Sequence, residues 1–184
     1  MTMTWSRQSS TVKVQLFGVR KDGCSCDPCD CNPCECGDNL VPNVPSWRIS
    51  GFFVQSGSYH DQSLTEELLL SLAQPEQEGS REGWHEVLLV GKDLSLEKIH
   101  ALLLIGEADL ESMPAEVEAL PRTTRSVYRA SMEYQMTEKG PHLRVSFSPE
   151  STTIVRQGAR QHMVRAWTYD GAVHIRGNVH LASS

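Results

Sequence analysis

Over residues 11–19 apolar and polar positions alternate, with Val12, Val14 and Leu16 set against Lys13 and Gln15. That period of two is the pattern of a strand with one buried face. Strand character returns over 47–55. Ser63 followed three residues later by Glu66 is a capping-box pattern, and Leu64, Leu68 and Leu72 then fall on one helical face. The combination predicts a first helix that ends before Pro75. Residues 86–90 predict a short buried strand. Asp93 or Ser95 then caps a second helix with Leu96, Ile99 and Leu103 on its inner face, and 114–120 adds a helical turn or two. From Thr124 onward the segments 127–136, 143–147, 152–156, 163–169 and 173–181 carry alternating or β-branched residues. Gly140 with Pro141, and Asp170 with Gly171, supply the turns between them. The pattern as a whole predicts an α+β fold: a mainly antiparallel sheet, closing as a barrel or a sandwich, with two central helices.

Composition sets the scale of that fold. The chain has 184 residues with 39% hydrophobic content, enough for one ordinary core. Residues 1–10 read as a polar tail and 11–184 as a single domain, in which 21–46 form a Cys-rich loop and a connector carrying Pro42 and Pro45. A formal net charge of −6 argues against nucleic acid as a partner, because that affinity rests on Lys and Arg neutralising phosphates. The apolar runs at 68–70 and 101–105 are far shorter than the roughly 18 to 20 residues that cross a bilayer, so no membrane insertion is expected. The polar opening lacks the apolar segment and cleavage site of a secretory signal. The expected location is therefore cytoplasmic, where thiols stay reduced.

The chemistry concentrates in one stretch. Cys24 and Cys26 are followed by Asp27 and Pro28, Cys29 and Cys31 by Asn32 and Pro33, and Cys34 and Cys36 close the series. This is Cys-x-Cys-Asx-Pro repeated with a period of five, two full copies and a third truncated one. Asx-Pro pairs favour turns, and each Cys-x-Cys places two sulfurs near one another, so that successive pairs converge on a common centre. Thiolate is the soft ligand that selects Cu(I), Zn(II) and iron–sulfur clusters over hard cations. Asp27, Asp30 and Glu35 stand among the thiols and disfavour free thiolates by like-charge repulsion; a bound cation reverses that balance.

Other uses of the cysteines fit the spacing less well. Disulfides among them would close only very short loops in a compartment read as reducing. A standard structural zinc site separates its two ligand pairs by a dozen or more residues, a spacing not found here, although a compact zinc–thiolate cluster with bridging sulfurs remains open. The bacterial ferredoxin run is not present, which ranks iron–sulfur lower, and the isolated Cys26/Cys29 and Cys31/Cys34 pairs lack the βαβ setting of a thioredoxin-like dithiol. The plainest reading is a solvated loop that holds no metal. The pattern ranks Cu(I) first and Zn(II) second, since Cu(I) accepts low coordination numbers among crowded thiolates.

Val14, Gln15, Leu16, Phe17 and Gly18, then five residues, then Cys24, Ser25, Cys26 and Asp27 resemble the opening of the bacterial family catalogued as domain of unknown function 1326. That family begins Trp-x-Leu-x-Gly and reaches Cys-x-Cys at similar spacing. Tyr169, Asp170 and Gly171, and later Gly177 and Asn178, are similar to its closing strand, and the predicted helix before Gly106 and Glu107 falls where its members carry a like segment. The chain departs from it at Val14, where the family has Trp, and it lacks the family's Cys-Pro-Cys. Trp47 to Gly51 repeats the opening pattern with no cysteines after it. The resemblance implies a cysteine site on a β-rich scaffold and names no reaction.

Beyond the cysteines, His174, Arg176, Asn178 and His180 form one face of the predicted last strand, opposite Val173, Ile175, Val179 and Leu181. The usual role of such a stripe is the solvated face of a sheet; His174 is the auxiliary ligand if one exists. His100 is expected to border the core as a structural histidine, and Met132 and Met136, flanking Tyr134, are expected to pack rather than bind Cu(I). No hydrolase, zincin, phosphate-loop or dinucleotide motif occurs. The expectation is a metal-binding protein acting in delivery, sensing or assembly, with a protein partner for the large body. The competing expectations are an interaction domain folded by structural zinc, and a redox or metal-dependent enzyme.

Overall fold

The computed structural model describes residues 10–21, 47–75, 84–106, 125–158 and 164–183. Ten strands and one helix lie within them: β1 (Ser10–Lys21), β2 (Trp47–Tyr59), β3 (Gln62–Ser63), β4 (Leu68–Pro75), β5 (Trp84–Gly91), α1 (Leu96–Leu104), β6 (Val127–Thr137), β7 (Gly140–Phe147), β8 (Ile154–Arg156), β9 (Trp167–Ala172) and β10 (His174–Ser183). The strands form one sheet in the order β10-β1-β2-β4-β5-β6-β7-β9, with β3 beside β2 and β8 beside β6. Every rung is antiparallel except β5 with β6, which is parallel. A parallel pair requires a crossover, and α1 lies within it.

The sheet curls into a half-barrel, and contacts between strands that are not neighbours show which face turns inward. Tyr134 of β6 meets Phe17 of β1 and Phe53 of β2, with ring centroids 5.1 and 4.5 Å apart, while Trp47 of β2 meets Trp167 of β9 at 5.2 Å. The inner core is built from Phe17, Ile49, Leu70, Leu72, Leu89, Leu143, Val145 and Phe147, among others. On the opposite face Val12, Val14, Phe52, Val54, Leu88, Val90 and Val127 pack with Ile99, Ala101 and Leu102 of α1. Central strands β4 and β5 are thus covered on both faces, which is why they read as continuous Leu and Val runs rather than as alternations.

That double burial overturns the first predicted helix, and with it the two-helix α+β reading. Residues 68–75 are strand, not helix. Glu66 sits at φ 68°, outside the helical region, and Ser63 pairs with Ser58 in the β2–β3 hairpin instead of capping. Leu64 belongs to the outer core, while Leu68 and Leu72 belong to the inner one. The fourfold Leu spacing was therefore coincidental with a run apolar at nearly every position, where periodicity cannot separate helix from strand.

The second predicted helix is α1. Ser95 caps it, its side chain accepting from the Lys98 N–H at 3.3 Å. Leu96, however, points to solvent at 65% exposure, and the buried face is Ile99, Ala101, Leu102 and Leu103. The predicted turn at Asp170 and Gly171 is also revised, because both lie within β9 and pair with Arg144 and Leu143. The chain bends instead at Val173, whose N–H donates to the Pro141 carbonyl at 3.2 Å. One residue thus carries the chain from β9, paired with β7, to β10, paired with β1, a strand changing partners at a corner. The helical turn expected at 114–120 lies outside the described residues.

Candidate metal centre

All six sequence-predicted ligands, Cys24, Cys26, Cys29, Cys31, Cys34 and Cys36, lie outside the described residues. The structure does describe where their segment is rooted. Strands β1 and β2 pair antiparallel up to Lys21 opposite Trp47. The described residues on either side of the cysteine segment, Lys21 and Trp47, thus stand directly opposite each other.

The inner face beneath that root is aromatic. Trp47 packs edge-on against Trp167 and Tyr169, at 5.2 and 5.3 Å between centroids. Trp167 and Tyr169, two residues apart on one strand face, are parallel at 6.1 Å. Deeper along the same end, buried Gln74 donates to the Arg165 carbonyl and accepts its N–H, both at 3.0 Å. This side chain replaces a backbone rung and fixes the approach to β9. His85, paired with Gln74 across β4 and β5, is also buried. The root of the cysteine segment is thus anchored in a packed end of the half-barrel.

His174 stands at this same end. It pairs with Gly18, three residues short of Lys21, and is exposed. Three residues of extended chain span about 10 Å. The polar stripe predicted with it is divided, however. The register of β1 with β10 shifts between Leu16 and Phe17, so that Gly177 opposes Leu16 and Ile175 opposes Phe17. A bulge of this kind turns the residues beyond it to the other face. His180 and Asn178, opposite Lys13 and Gln15, are therefore separated from His174 by the sheet. Arg176 lies across Gly18, where an added Cβ would stand 2.6 Å from its Nε.

Neither methionine nor the remaining predicted histidine joins this region. His100 is exposed on α1 rather than bordering the core. Met132 packs against the inner core as expected, whereas Met136 is 63% exposed. Among the described residues no group of three or more His, Cys, Asp or Glu side chains is placed to hold a metal ion. The soft thiol donors of the sequence all lie in the cysteine run.

Two polar clusters had no counterpart in the sequence reading. On the outer face Arg125 Nη1 lies 2.7 Å from Glu86 Oε1, with the two side chains 4% and 7% exposed, and the Ser71 hydroxyl donates to the same oxygen. On the exposed face of β7 and β9, His142 meets Asp170, and Arg144 Nε lies 3.4 Å from Asp170 Oδ2. Above all the His142 hydrogen bond, with Arg144 assisting, holds the Asp170 carboxyl below its ordinary value of 3.8. The partners are 39 and 28 residues apart in sequence, so only the strand pairing brings them together. Compared with known protein families, curated proteins and solved structures, the chain matches none.

Proposed function

We propose that this chain is a soft-metal-binding protein whose cysteine run, residues 24–36, holds a polynuclear thiolate site, with Cu(I) preferred and Zn(II) second. The observation that carries the reading is the in-register Cys-x-Cys-Asx-Pro repeat, in which turns and paired sulfurs recur together. The facing of Lys21 and Trp47 supports it, because a segment whose two ends are held side by side loses less chain entropy on closing around an ion. Exposed His174 stands at the same end of the sheet and is the auxiliary ligand in this proposal. The resemblance of Val14 to Asp27 to the opening of the domain of unknown function 1326 family favours the same arrangement, a cysteine site on a β-rich scaffold.

Six thiols on 184 residues are few for bulk storage. The proposed role is delivery, sensing or assembly, with the half-barrel positioning the ion and meeting a protein partner, in the cytoplasm. Anaerobic titration with Cu(I) and separately with Zn(II) tests it, read against a Cys24→Ser, Cys26→Ser, Cys29→Ser control. The proposal expects cooperative uptake of several Cu(I) ions, proton release on binding, and weaker binding as pH falls, since each ligand must lose a proton. Tight binding of only one or two Zn(II) ions assigns the run to structural zinc. Uptake no greater than that of the control rejects a metal role.

A further inference from the structure

We draw no further inference here: the strongest candidate, the polar groove of about 410 Å³ between the start of α1, the end of β5 and the middle of β6, rests on a helix N-terminus whose Lys98 is already paired with Glu67 at 3.6 Å, and nothing else among the described residues points to a ligand there.

Discussion

Glu86 and Arg125 meet with both side chains nearly buried, so each offsets part of the other's lost solvation, with the Ser71 hydroxyl contributing at Glu86. Removing one partner takes a counter-charge away from the other, buried one. Glu86→Ala is expected to cost about 3–5 kcal/mol, read as a fall in the urea midpoint, while replacing both residues by apolar side chains of similar volume costs much less. Tyr134 is the second test at this scale. Its hydroxyl donates to Gln15 Oε1 at 2.6 Å, and Gln15 is 4% exposed. Tyr134→Phe leaves that acceptor unpaired, at a cost of about 1–3 kcal/mol. Burial pushes the Tyr134 phenol up from 10.0 to about 12, so the folded state holds this proton more tightly than the unfolded chain does. The stabilisation is complete below the ordinary tyrosine range and is lost as pH rises through it toward 12. Ultraviolet titration of the native protein should show a late-ionising component that disappears in Tyr134→Phe; an unchanged curve would mean that Tyr134 is solvated.

At the scale of the elements, the β2–β3 hairpin turns through His60 and Asp61, at φ 47° and 64°, between paired Tyr59 and Gln62. Left-handed backbone at both central positions favours Asn-Gly, and replacing the pair with it is expected to add about 1 kcal/mol without moving the register. Gly57, at φ 118°, leaves no such freedom, because a Cβ there would stand 2.0 Å from the Thr11 carbonyl oxygen. Gly57→Ala is expected to disrupt the β1–β2 pairing, visible as a lower thermal midpoint. Most elements were legible in the sequence: β1 by its Val12 and Val14 alternation, β2, β6, β7 and β10 by their strand patterns, β5 as a short apolar run over 86–90, and α1 by a cap at Asp93 or Ser95. Strand β4 was read as helix, since burial on both faces erases the period that distinguishes strand from helix and Ser63 with Glu66 imitated a cap ahead of it. The split between His174 and His180 escaped for a different reason. The bulge responsible is set by pairing with β1, which the local pattern of β10 does not encode.

The whole molecule joins a half-barrel with a packed aromatic end to a cysteine run whose chemistry was read from sequence and whose root was found in the structure. Trp47, at that root, gives a local probe: metal uptake by the run should change tryptophan fluorescence in the native chain and much less in Trp47→Phe. No helix among the described residues is long and apolar enough to cross a membrane. The remoteness of Glu86 from Arg125, and of His142 from Asp170, explains why these clusters were invisible before the strand order was known. Native mass spectrometry of protein reconstituted and purified without oxygen reads metal identity and number together. Several Cu(I) ions are expected on the intact chain and their loss in the Cys24→Ser, Cys26→Ser, Cys29→Ser variant; a spectrum free of metal, or identical for the two proteins, would rule out a thiolate metal site in the cysteine run.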